Sequence, residues 1–354
     1  MSHLALSDGK TRSGLGRAIR DAQALARAGC AQWARRGILP CTQTQGNLTM
    51  QVLITGGTGF IGQALVQRLM AAGHAVTVWS RNPALAARQL GAGVRCVATL
   101  NAIAATDRID AIVNLAGARV VGPPWTAARR QVLLDSRVGT TQALLQRLQQ
   151  TGQRPSVWVQ ASAIGFYGVR PAEEPLTETS APGQGFMSEL CVRWEQAAAQ
   201  ATALGIRQVV LRLGVVLGPG GALPPLLRPI RLGLGGRMGS GQQVMSWIHR
   251  DDVLTLITTA LLGTPNSPQN SPSMQGIYNA TAPEPVPQAT FARTAGQLLH
   301  RPVWLPMPAA PLRWALGEMA QLFVDGQNVV PARLQREGFA FAYPGLREAL
   351  RSLV

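Results

Sequence analysis

From Met50 onward, short β-branched apolar runs alternate with longer stretches in which apolar residues recur every three or four positions. MQVLIT (50–55), AVTVW (75–79), VRCVA (94–98), AIVNLA (111–116), VWVQAS (157–162) and QVVLRLG (208–214) read as buried strands. GFIGQALVQRLMAAG (59–73), the segment from Trp125 to Gln150 and the segment from Met187 to Leu204 read as helices. Strands separated by helices pair in parallel, and right-handed crossovers place helices on both faces of the sheet. The expected fold class is α/β, a Rossmann-type doubly wound parallel sheet with a smaller C-terminal α/β lobe.

After Gly214 the rhythm loosens into Gly- and Pro-rich connections such as GPGGALPP and RLGLGGRMGSG, and GTPNSPQNSPSMQG (263–276) has the composition of an exposed loop. PMPAAPLRWALGEMAQLF and YPGLREALRSLV read as helical. Four segments follow: an extension at 1–49, a dinucleotide-binding domain at 50–262, a linker loop with lobe elements at 263–300, and a helical segment of no assigned function at 301–354. The extension carries seven basic and two acidic residues, so 7 − 2 = +5, and IRDAQALARAGCAQWARR could form a basic amphipathic helix. We expect it to lie outside the fold, with Met50 an alternative start.

Composition narrows the class of protein. An apolar content of 46% with no run near the roughly 20 apolar residues of a membrane span fits a soluble cytoplasmic protein, and no membrane partner is expected. Cys30, Cys41, Cys96 and Cys191 are far apart and lack histidines at ligand spacing, so neither a disulfide framework nor a metal site is expected. The net charge of +16 raises nucleic acid as a ligand, but it is nearly all arginine, scattered singly or in pairs, and Lys10 is the only lysine. Scattered cations read as a solvated surface, so no nucleic-acid partner is expected.

ITGGTGFIG (54–62) carries the chemistry. Gly56, Gly59 and Gly62 follow an apolar strand and open an amphipathic helix, the context in which glycines let the backbone approach a pyrophosphate at a helix N-terminus. The next strand ends at Ser80-Arg81, where a carboxylate would select NAD; a hydroxyl and a guanidinium instead suit a 2′-phosphate and point to NADP. Asn114 to Gly117 end another central strand, as do Ser162 and, a few residues on, Tyr167.

TGGTGFIG, NLAG, the SxxxxYG form at 162–168, VLRLGVVLGPGG (210–221) and WIHRDDV (247–253) together resemble the extended short-chain dehydrogenase/reductases. The tail is similar to that of the YfcH-type epimerase-family proteins, and the resemblance as a whole covers about residues 50 to 354. The resemblance implies a Rossmann-type NADP-binding protein named for epimerases. It carries a cofactor role over to Gly56, Thr58, Gly59, Phe60, Ile61, Gly62, Ser80, Arg81, Asn114, Leu115, Ala116 and Gly117.

The tyrosine and lysine that the superfamily uses for proton transfer do not carry over, because FMSELCVRWE (186–195) places Phe186 and Leu190 there. Ser162 and Tyr167 are therefore the catalytic candidates, Tyr167 as proton donor and Ser162 polarising the substrate oxygen. His249 beside Asp251-Asp252 reads as a helix cap rather than an acid, Glu189 and Glu195 as a solvated face, and Cys191 as packing. Two functions stay open. One is an NADP-dependent oxidoreductase or epimerase acting on a polar small molecule, nucleotide-linked compounds among the candidates. The other is a non-catalytic NADP(H)-binding regulator or scaffold, a reading that includes a link to cell division.

Overall fold

The computed structural model describes residues 49–263 and 273–354. The expectations for the extension and for most of the 263–276 loop lie outside the described residues. Seven strands build the central sheet: β1 (Gln51–Thr55), β2 (Ala75–Trp79), β3 (Arg95–Val97), β4 (Ala111–Asn114), β5 (Val157–Ala163), β6 (Arg207–Leu213) and β7 (Gly276–Ala280). All neighbours are parallel, in the order β7-β6-β5-β4-β1-β2-β3. The winding reverses between β1 and β4, and the crevice outside the carboxyl ends of the strands at such a switch point is where α/β sheets hold ligands.

The helices that cover the sheet are α1 (Phe60–Ala71), α2 (Pro83–Leu90), α3 (Ala127–Leu134), α4 (Thr140–Thr151), α5 (Phe186–Ala199) and, beyond α6 (Leu223–Arg231) of the C-terminal lobe, α7 (Arg250–Leu262). Period-two alternation assigns the faces. Val52 and Ile54 pack with Leu65 and Leu69 of α1 and Ile257 of α7, whereas Leu53, between them, joins Ile112, Trp158 and Leu144 and Leu148 of α4 on the other face. A separate core of Leu217, Leu227, Trp247, Phe291, Leu346 and Leu350 holds the C-terminal lobe, with two short strand pairs, Val215–Leu217 with Trp247–His249 and Val244–Met245 with Val286–Pro287.

Three local differences from the sequence reading have physical causes. Strand β7 falls in the stretch read as linker and lobe, yet it completes the central sheet. Its apolar pattern is interrupted by Asn279, a buried polar residue whose partners come from distant segments. Strand β4 stops at Asn114, although the apolar run continues to Ala116, because the Asn114 side chain accepts the Ala116 amide and turns the chain. The helix expected over 125–150 is α3 and α4 joined by a π-helical turn at Asp135–Gly139.

His249 does cap a helix: its Nδ1 accepts the Asp251 amide at 3.1 Å at the start of α7. Next to it, buried Asp252 accepts the amides of Ala342 at 2.7 Å and Tyr343 at 3.2 Å, which ties α7 to the C-terminal segment, and burial pushes its carboxyl up to about 6. No helix among the described residues is long and apolar enough to cross a membrane.

Candidate functional site

At the switch point the chain needs glycine for steric reasons. Gly56 has φ +68, and a Cβ on it would lie 2.5 Å from the Leu115 carbonyl oxygen; a Cβ on Gly62 would lie 2.2 Å from the Gly56 oxygen. Any side chain at either position would push apart the strand–turn–helix packing. Gly59 is the N-cap of α1, with no side chain to cap it and no carboxylate in the first turn. The first amides of this 12-residue helix thus have no side-chain cap.

The other residues of the motif contribute backbone. The Phe60 ring packs against the glycine loop of the lobe, where a Cβ on Gly218, Gly220 or Gly221 would come within 2.9 Å of it, and Ile61 packs against the main core. The Thr58 carbonyl is held by Gln63 Nε2 at 2.9 Å.

At the end of β2, the Ser80 hydroxyl makes only long contacts to the Asn82 backbone, 3.3 and 3.4 Å. Arg81 is exposed and has no hydrogen-bond or ion-pair partner among the described residues. Asn82 caps α2 by accepting the Leu85 amide at 3.0 Å, so the short polar run is anchored by Asn82 rather than by Ser80 or Arg81.

Asn114 is different. It is fully buried, accepts from Thr55 Oγ1 at 2.5 Å and the Ala116 amide, and donates to Thr141 Oγ1 at 2.9 Å and Gln160 Oε1 at 3.0 Å. Its four hydrogen-bonding positions are filled, so its side chain shapes the edge from below and has nothing left for a ligand. Leu115, Ala116 and Gly117 present backbone above it, and only Gly117 is exposed.

The expected catalytic pair stands in another setting. The Ser162 hydroxyl is buried and donates to Glu195 Oε1 at 2.6 Å. Glu195 in turn forms a bidentate, buried ion pair with Arg212, at 2.9 Å (Nε to Oε1) and 2.8 Å (Nη2 to Oε2). Arg212 stacks 3.4 Å over the Phe166 ring and donates to the Tyr167 hydroxyl at 2.9 Å; that hydroxyl donates to Asn279 Oδ1 at 2.6 Å.

Tyr167 is completely buried, and burial raises its pKa against the pull of Arg212. The hydroxyl expected to act as proton donor thus bridges β6 and β7, buried and bonded to Arg212 and Asn279. The Ser162 hydroxyl is likewise committed to Glu195. The reading of Glu195 as a solvated residue is overturned; only Glu189, which pairs with Arg193, lies on the exposed side of α5. Burial, reinforced by the nearby Glu195 charge, pushes the Cys191 thiol up to about 12, which fits packing.

Arg212 and Asn279 were missed in the sequence, and with them the partner that holds Glu195. The available signal was an arginine inside an apolar strand, in QVVLRLG, since a buried charge requires a partner.

Beside α5 lies an open cavity of about 470 Å³ lined by Arg130, Gly183, Phe186, Ser188, Glu189 and Glu318, among others. Arg130 lies 5.0 Å over the Phe186 ring and pairs with Glu318, a residue of the C-terminal segment. Phe186 packs edge-on against Trp125 with ring centres 5.4 Å apart, and Leu190 is buried. Neither Phe186 nor Leu190 offers a proton. No cluster of three metal-ligating side chains occurs among the described residues.

Strand order, glycine cradle and uncapped helix define a dinucleotide-binding fold of the doubly wound type. The family model described as the NAD dependent epimerase/dehydratase family matches residues 52–279, and the domain of unknown function DUF1731 matches 307–353. The chain belongs to that epimerase/dehydratase family. It is 37% identical over 310 residues to the epimerase family protein YfhF of Bacillus subtilis, covering 86% of this chain and 98% of that protein. The crystal structure of the human epimerase family protein SDR39U1 (isoform 2) with NADPH superimposes with a TM-score of 0.73 at 36% identity, covering 86% of this chain and 99% of that one. The UDP-glucose 4-epimerase of Thermus thermophilus in complex with NAD, 20% identical with a TM-score of 0.67 over 85% of this chain and 97% of that one, shows the shared fold alone.

Proposed function

We propose that this chain binds NADP(H) in the β1–β4 crevice and acts as an NADP-dependent oxidoreductase or epimerase on a polar small molecule held beside α5. The observation that carries the cofactor reading is the pairing of a side-chain-free cradle at Gly56, Gly59 and Gly62 with an uncommitted Ser80-Arg81 at the end of β2. The pyrophosphate would lie on the amides that open α1, and the 2′-phosphate would take charge-assisted hydrogen bonds from Ser80 and Arg81. NADPH in the structure of the human relative supports the same choice.

A bound nicotinamide supplies hydride transfer to or from carbon. What the chain adds is position. Phe186, backed by buried Trp125, gives the cavity an apolar side, and the Arg130–Glu318 pair places charge on its lining, which suits a polar, ionisable substrate such as a nucleotide-linked sugar.

A second reading, binding without turnover, is favoured by one observation: the hydroxyls of Ser162 and Tyr167 are both committed to the protein's own groups. NADPH consumption measured against a panel of aldehydes, ketones and nucleotide sugars separates the two. Turnover on any class supports the enzyme, and tight NADPH binding with no turnover supports the regulator. If calorimetry detects no binding of NADPH or NADH, both readings fail.

A further inference from the structure

The chain has no lysine among its described residues, yet the ligand edge does hold a buried cation. Arg137 projects from the π-helical turn between α3 and α4, an insertion of the kind that re-aims a side chain, and it is 9% exposed. Its guanidinium donates to the Leu133 carbonyl at 3.2 Å, the Ala118 carbonyl at 3.1 Å and the Ser136 hydroxyl at 3.5 Å. Its Cζ lies 5.1 Å from the centre of the Trp194 ring on α5.

All these partners are neutral, and no carboxylate pairs with Arg137 among the described residues. Five N–H groups meet three acceptors, so donors remain. The indole N–H of Trp194, on the same spot, is also buried without a partner. A Cβ on Gly117 would stand 2.9 Å from the Arg137 Cζ, so glycine at the ligand edge is what lets the guanidinium lie against the backbone there.

A buried, unpaired cation is costly unless a ligand makes use of it. We propose that Arg137, stacked on Trp194 of the helix that would have carried the absent lysine, is the fixed positive charge of this site, and that it makes the site select NADPH over NADP⁺. The physical reason is the charge on the ring: oxidised nicotinamide is a cation and reduced nicotinamide is neutral, so a fixed cation beside the binding edge repels only the oxidised form. Arg137 is a positioning residue in this role, and the inference rests on the NADP(H) reading above.

The test measures dissociation constants of the full chain for NADPH, NADP⁺ and adenosine 2′,5′-bisphosphate, which lacks the nicotinamide. The native protein is expected to hold NADPH at least about tenfold tighter than NADP⁺, a difference of about 1.4 kcal/mol. Arg137→Gln should reduce that ratio about tenfold and leave the bisphosphate affinity unchanged, while Arg137→Lys should keep most of the ratio. If Arg137→Gln does not fold, Gly117→Ala, whose methyl displaces the guanidinium, should lower the ratio in its place. Equal affinities for the two redox forms in the native protein, or an unchanged ratio in both neutralising and displacing variants, overturn the inference. Failure of the bisphosphate to bind the native protein would instead overturn the NADP(H) reading on which it rests.

Discussion

The two halves of the ligand edge treat their polar groups in opposite ways. Around β1, β2 and the start of α1, polar groups are left open: the helix has no cap, Ser80 makes only long contacts, and Arg81 has no partner among the described residues. Around β5, β6 and β7, polar side chains are bound to one another in a chain running Ser162, Glu195, Arg212, Tyr167, Asn279. Residue type alone does not separate these cases, since both regions show hydroxyls and arginines at strand ends. What separates them is whether the hydrogen-bonding capacity is already filled. A binding edge keeps donors open in a fixed geometry, whereas a structural network closes on itself because an unsatisfied buried group is costly.

The largest test of this contrast is Arg212→Met. It leaves Glu195 buried without its partner and should destabilise the fold by about 3–5 kcal/mol. Urea denaturation measures it; a loss under about 1 kcal/mol would mean the pair is not the keystone of that half.

A second test uses pH. The Asp252 carboxyl is raised to about 6 in the folded state by burial, above its unfolded value near 3.8, so its stabilising contribution is present below the unfolded value and lost as pH rises through about 6. The expected difference between the two limits is roughly 3 kcal/mol. His249 is shifted down by burial and acts in the opposite sense, losing stability as pH falls below about 6.5, so the comparison must be native against Asp252→Asn over roughly pH 4 to 7.5. The native protein should lose stability relative to the variant as pH rises; a flat difference would show that Asp252 does not titrate there.

Tyr167→Phe comes next. If Tyr167 is a strut, removing its hydroxyl leaves Asn279 and Arg212 short of a partner and costs about 1–3 kcal/mol. NADPH affinity, and the rate on any substrate found, should hold within about threefold. A rate loss of about 10²-fold with unchanged stability would restore Tyr167 as the proton donor.

The smallest effect is on the open side. Arg81→Ala should weaken NADPH about tenfold and leave NADH unchanged, without moving the thermal midpoint. Equal weakening of both would mean that Arg81 does not meet the 2′-phosphate.

Six of the seven strands of the sheet and the glycine cradle were legible from neighbours along the chain. The period-two runs assign Val52 and Ile54 to one face and Leu53 to the other, and the steric need for glycine at Gly56 and Gly62 follows from a strand meeting a helix across a tight turn. Which of the candidate groups are available to a ligand became visible only in the folded molecule. The partner of Ser162 lies 33 positions away, the arginine that holds Tyr167 lies 45 away, and the asparagine that completes its bonding lies 112 away. Strand β7, which carries Asn279, escaped the sequence reading for the same reason. Local sequence shows that a polar group is present, but its satisfaction depends on contacts between strands that only the folded sheet brings together.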